Sequence, residues 1–176
     1  MRAVQWLILL VCTLFQERPG GGDPDAVIKD FKVAYAKAGQ DAGARAKAVR
    51  SLAAAPHSKT LFVLRQLMAG DESGREVMEV RVSAAETVGR FTELNGASQA
   101  LLPWARQRDR KLVDLRRASV QGLGALKARD VLDTLHKLYW EKPFELARDA
   151  VESTVEIRDR RSIPALIKLL REAERV

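Results

Sequence analysis

A segment that returns three times constrains this chain more than any other feature. Val80-Arg81-Val82-Ser83-Ala84-Ala85-Glu86-Thr87-Val88-Gly89 comes back as Leu115-Arg116-Arg117-Ala118-Ser119-Val120-Gln121-Gly122-Leu123-Gly124. A more worn copy follows as Leu146-Ala147-Arg148-Asp149-Ala150-Val151-Glu152-Ser153-Thr154-Val155. The copies begin 35 and then 31 residues apart. A unit of that length is one helical hairpin, too small to bury its own apolar face and stable only against neighbours of the same kind. The sequence therefore predicts an all-α domain built of stacked hairpins. It names no ligand and no reaction.

Composition agrees with that reading. The chain has 176 residues, 47% of them hydrophobic, enough for one domain with a continuous core. Aromatic residues make up only 6%, so Ala and Leu carry the apolar load. Ala has the highest helix propensity and lets helix axes approach closely. Thirty basic residues outnumber 23 acidic ones, a formal charge of +7. Such an excess suits acidic proteins, nucleic acid or an anionic membrane as partners. The signs are mixed, however, as in Arg106-Gln107-Arg108-Asp109-Arg110-Lys111 and Arg158-Asp159-Arg160-Arg161. Mixed runs are the usual dress of solvated helix faces. Aromatic residues are not interleaved with the basic ones, as stacking on bases would require.

The first 18 residues read as a signal peptide or an N-terminal anchor. Arg2 precedes an apolar run from Val4 to Phe15, broken only by Gln5 and Thr13. About a dozen residues match a signal-peptide core and fall short of the roughly 20 needed to span a bilayer. Residues 19–24 follow as a turn-rich linker, and 25–176 as the helical domain. The predicted location is exported, periplasmic or otherwise extracytoplasmic, with membrane contact only through an uncleaved N-terminal segment. Cys12, the one cysteine, lies inside this run, so the helical domain contains no disulfide, thiolate metal site or cysteine nucleophile.

Apolar periodicity and breakers place helices near 25–38, 42–55, 58–69, 76–92, 97–108, 112–126, 129–141, 144–157 and 162–174. The first looks like a capping helix. Ser58 reads as the cap of the third, with Leu61, Phe62, Leu64, Leu67 and Met68 facing inward. Connections of about 2–6 residues make successive helices antiparallel neighbours. Within a hairpin, a first-type helix with an Ile/Leu-Pro start precedes a second-type helix that carries the recurrent segment.

This pairing resembles HEAT repeats, particularly the short bacterial kind. The first-type pattern is Ser162-Ile163-Pro164-Ala165-Leu166-Ile167-Lys168-Leu169-Leu170, with Leu101-Leu102-Pro103-Trp104-Ala105 beside it. Pro103 and Pro164 are read as first-turn residues, where a missing N–H costs nothing. The second-type pattern is Arg81…Ala85…Val88-Gly89 and Arg116…Val120…Leu123-Gly124. The likeness covers about four repeats, roughly residues 41–174. It implies a right-handed α-solenoid of the armadillo-like helical class: four hairpins behind an N-terminal capping helix, acting as a non-catalytic scaffold that binds a protein partner on its concave face.

The recurrent positions have a structural reading first. Arg81, Arg116 and Arg148 (one residue out of register), with Asp71, Asp109 and Glu141 ahead of them, resemble the family's inter-repeat ladder of charge and capping. Gly89 and Gly124 suit close helix approach or helix termination. The candidate partner-binding residues are the basic ones that vary between repeats, Lys47, Arg50, Arg90 and Arg117, which favour an acidic protein. Trp104 joins them as a possible anchor, with core packing as its plainer role, and Trp140 is read the same way. A nucleic-acid-binding solenoid with a basic groove is the alternative. No Gly-x-Ser-x-Gly elbow, P-loop, dinucleotide fingerprint or His-Glu-x-x-His occurs, so the chain reads as no enzyme. His57 and His136, 79 positions apart, make no metal site, and no cofactor is implied.

Overall fold

The computed structural model describes residues 22–70 and 77–173; the expected signal or anchor segment and Asp71 lie outside them. Among the described residues there are nine α-helices and no strand. They are α1 (Pro24–Ala38), α2 (Ala42–Ser51), α3 (Ser58–Ala69), α4 (Met78–Val88), α5 (Ala97–Ala105), α6 (Val113–Ala125), α7 (Leu132–Leu138), α8 (Phe144–Ile157) and α9 (Ile163–Ala173). Four single turns of 3₁₀ helix adjoin them, at 52–54, 110–112, 129–131 and 160–162.

Contacts follow two rules. Each first-type helix packs on the helix after it: α1 on α2, α3 on α4, α5 on α6 and α7 on α8. The second-type helices also pack in series, α2 on α4, α4 on α6 and α6 on α8. The recurrent segment therefore lies in the middle of the molecule. Its equivalent apolar positions Val80, Leu115 and Leu146 are all at 0% exposure. Each such side chain contributes roughly 1.5–3 kcal/mol when taken fully out of water.

Small residues let these helices approach. A Cβ on Gly89, which ends α4, would sit 2.8 Å from the Gly122 Cα, and one on Gly124 would sit 2.7 Å from the Ser153 Cα. Both glycines are therefore points of backbone contact, between α4 and α6 and between α6 and α8.

Several local expectations are corrected. The first helix starts one residue earlier than expected: Asp23 caps α1 by accepting from the Asp25 N–H at 3.0 Å, Pro24 is the first helical residue, and the Gly22 N–H donates to the Ala54 carbonyl at 3.0 Å. Ser58 does not cap α3. His57 does, its Nδ1 accepting from the Lys59 N–H at 3.1 Å while its own N–H donates to Thr60 Oγ1 at 3.0 Å. Phe62 faces outward, 60% exposed, because Leu61, Leu64 and Met68 fill the inner face of the same helix. Pro103 stands seventh in α5, past the first turn, whereas Pro164 is the second residue of α9. Without its N–H, Pro103 cannot bond the carbonyl four residues back, and α5 ends two residues later, at Ala105.

Candidate functional site: the polar surface of the second-type helices

The recurrent arginines hold each second-type helix to the helix before it. Arg81 Nε donates to the Met68 carbonyl at 2.8 Å, and Arg116 Nε donates to the Ala105 carbonyl at 3.0 Å. Met68 and Ala105 stand at the C-terminal ends of α3 and α5, where carbonyls lack helical partners and the helix dipole favours a cation. Arg81 also lies over the Trp104 ring, 5.4 Å from its centroid, and burial lowers its pKa from the ordinary value. Arg116 is buried and reaches on to the following hairpin, donating from Nη2 to Glu141 Oε2 at 2.6 Å. Arg148 does not share this role. Ala147 occupies the equivalent buried position, and Arg148 points outward to Glu152 at 3.6 Å. Asp109 serves its own turn, accepting from the Lys111 N–H at 2.9 Å.

Outside this framework lies the exposed surface of α2, α4, α6 and α8, where Lys47, Arg50 and Arg117 fall, with Arg90 just past the end of α4 and Trp104 on α5. Lys47 and Arg90 are exposed. Arg50 faces Glu86 across α2 and α4 at 3.8 Å, both side chains 44% exposed. An exposed pair of that length contributes about 0–1 kcal/mol. Arg117 is bound more firmly. Its Nε donates to Asp149 Oδ2 at 2.6 Å, and Gln121 Nε2 donates to Asp149 Oδ1 at 3.0 Å. The Asp149 side chain is only 1% exposed, so it depends on these two donors from α6 to be tolerated inside. The same hydrogen bond raises the Arg117 pKa above its ordinary value. Arg117 is thus committed to the contact between α6 and α8.

Trp104 is half-buried against the core beneath Arg81, while Trp140, 48% exposed, lies under Lys168 at 6.0 Å. The structure therefore leaves Lys47 and Arg50 exposed on α2 and Arg90 exposed in the turn after α4, and draws Arg117 and Trp104 into packing. Sequence reasoning missed Glu86, Gln121 and Asp149, the partners across the helix rows. Glu86 and Gln121 occupy the same place in two copies of the recurrent segment; that periodic polar position was the available signal.

Among the described residues no group of three or more His, Cys, Asp or Glu is placed to hold a metal ion. His136 bonds through Nε2 with Ser162 Oγ at 3.0 Å, and burial lowers its pKa. A cavity of about 800 Å³ lies apart from the second-type helices, between α1 and α3, lined chiefly by Ile28, Phe31, Tyr35, Phe62, Val63 and Leu67. Among the described residues no helix is long and apolar enough to cross a membrane. In comparisons with known proteins, no family model matches this chain, and no curated protein matches it.

Proposed function

We propose that the chain is a non-catalytic scaffold whose hairpins form a HEAT-like α-solenoid, and that it binds a protein partner across the outer, concave surface of its second-type helices. The serial packing of α2, α4, α6 and α8 carries this reading. Serial packing gives an extended surface whose side chains differ from helix to helix, while the repeated positions are spent on the scaffold. The exposed Lys47 and Arg90 bias the near end of that surface toward an acidic partner. A protein is favoured over nucleic acid because Arg50, Arg117 and Arg148 each face a carboxylate on this surface. Phosphate binding draws on unneutralised cations.

Chemical cross-linking of the intact protein, followed by mass spectrometry of the captured complexes, tests the reading. Cross-links from Lys47 and its neighbours on α2, α4, α6 and α8 to one acidic protein are the expected result. Capture that disappears on nuclease treatment, or cross-links confined to the first-type helices, would overturn it. Small-angle scattering tests the architecture, because a solenoid is more extended than a closed bundle of equal length.

A further inference from the structure

We propose that the edge of the molecule formed by the connections 106–112 and 139–143 is a separate recognition site for an acidic peptide segment, one rich in Asp and Glu. The proposal rests on the reading that this chain binds a partner, but it places the anion-recognising element on a surface different from that of the second-type helices.

The connection after α5 carries Arg106, Arg108 and Arg110, and the one after α7 carries Lys142. Distant in sequence, the two connections meet around the buried Arg116. A cavity of about 490 Å³ is lined by Arg108, Asp109, Arg110, Arg116 and Lys142, with Val113 and Pro143 as its apolar wall. A second cavity of about 290 Å³ shares Arg108 and Arg116 with it and adds Arg106, Lys137 and Glu141. Six cations thus face two carboxylates, and both carboxylates already have partners. Asp109 accepts from the Lys111 N–H at 2.9 Å, and Glu141 accepts from Arg116 at 2.6 Å. The remaining charge is positive, and it is concentrated here as it is not along the second-type helices.

Part of the site is already ordered. Arg116 is held by the Ala105 carbonyl and Glu141, and Arg106 donates to Thr134 Oγ1 at 2.9 Å. Ordering these side chains therefore costs binding little. Arg108, its side chain 86% exposed, makes only a long 4.0 Å pair with Glu141 that a ligand carboxylate can replace, and Arg110 and Lys142 are exposed beside it. Guanidinium groups match carboxylates with paired hydrogen bonds. Two lobes joined through Arg108 and Arg116 suit a segment that delivers carboxylates in succession. No aromatic residue lines either lobe, and Trp140 in the adjoining connection lies under Lys168, so neither lobe offers a platform for stacking bases.

Fluorescence anisotropy with labelled hexaglutamate and the full chain tests this. Arg108→Glu combined with Lys142→Glu should weaken binding about tenfold or more and flatten its salt dependence. Lys47→Glu combined with Arg90→Glu, on α2 and in the turn after α4, should change it less than about twofold. Circular dichroism confirms that both exposed-site variants keep the fold. Equal affinity of the cleft variant and the native chain overturns the proposal, as does equal loss in both variants. Tighter binding of a thymidine oligonucleotide than of hexaglutamate, lost in the cleft variant, overturns it in favour of nucleic acid. Displacement of hexaglutamate by millimolar inorganic phosphate overturns it in favour of a single-anion site. If native chain and hexaglutamate do not associate, the cleft proposal fails alone, because the cross-links sought above lie on the other surface.

Discussion

Helices α7 and α9 share one sequence pattern and have opposite fates. Shifted by 31 positions, Leu132 corresponds to Ile163, Leu135 to Leu166, Leu138 to Leu169 and Tyr139 to Leu170. Leu132 and Tyr139 are 3% and 5% exposed, whereas Ile163 and Leu170 are 51% and 65% exposed. The side chains are as apolar in α9 as in α7; the neighbours differ. Helix α8 lies along α7, and among the described residues no helix follows α9 to do the same. Burial at these positions is a property of the pair. A hairpin helix without its mate keeps its secondary structure and loses most of its hydrophobic stabilisation.

Truncating side chains in the two settings should give the largest difference. Leu123 is at 0% exposure, between α6 and its neighbours. Leu123→Ala should cost about 2–5 kcal/mol, the usual range for a cavity in a packed core. Leu170→Ala should change stability by less than about 0.5 kcal/mol, as at most exposed positions. Urea unfolding of both variants at low protein concentration measures the two values. A loss at Leu170 comparable to that at Leu123 would break the comparison, since it would mean that the outer face of α9 is covered in solution.

Backbone contacts give the next effect and divide the glycines of α6 between themselves. A Cβ at Gly124 would meet the Ser153 Cα at 2.7 Å, and one at Gly122 would meet the Leu101 Cδ1 at 2.7 Å. The first obstacle is the main chain of α8, so the helices must separate; the second is a methyl group that can swing away. Overpacking costs typically about 1–3 kcal/mol, against the roughly 0.5–1 kcal/mol gained when Ala replaces Gly in a helix. Gly124→Ala should therefore be net destabilising by about 1 kcal/mol or more, and Gly122→Ala close to neutral by the same balance. Thermal unfolding of the pair checks this; no loss in Gly124→Ala would place α8 farther from α6 than the structure has it, and an equal loss in Gly122→Ala would mean that Leu101 cannot yield.

The recurrent segment made the helical class and most element positions legible, because apolar period and breakers act locally. What stayed hidden depends on contacts the period does not encode. The recurrent place of Arg81 and Arg116 in the repeat is visible in the sequence, but their acceptors are the main-chain carbonyls of Met68 and Ala105, which leave no mark on residue type. Arg117 looks like a free surface cation until Asp149, 32 residues on, is seen folded against it. Phe62 matches the inner face by spacing and is turned out because Leu61 and Leu64 already fill that face. His57 displaces Ser58 as a cap because an imidazole nitrogen can accept as an oxygen does, a possibility a list of preferred caps omits. The basic edge was masked for a different reason: Arg108 and Lys142 belong to separate mixed-charge runs, each of which looks balanced alone.

The turns that enter α7 and α9 carry the comparison to its smallest effect. At the same register stand Ala128, 7% exposed, and Asp159. The turn into α7 is held by burial, and the turn into α9 by a polar cap. Asp159 accepts from the Arg161 N–H at 2.9 Å and from the Arg161 guanidinium at 2.9 and 3.1 Å. The Arg161 side chain first, and its N–H second, lower the Asp159 pKa from 3.8 to about 2. Between those values the unfolded chain binds more protons than the folded one, so stability rises with pH across that window. The contribution is complete above the unfolded pKa and disappears as pH falls through the folded one. Arg161→Ala should raise the Asp159 pKa toward 3.8 but not fully to it, because the backbone donor remains. Carbon-detected NMR titration of the carboxylate reads the shift directly. An unchanged pKa in the variant would mean that the α9 turn is held by something other than this cap, and the contrast with the buried Ala128 would then lose its chemical basis.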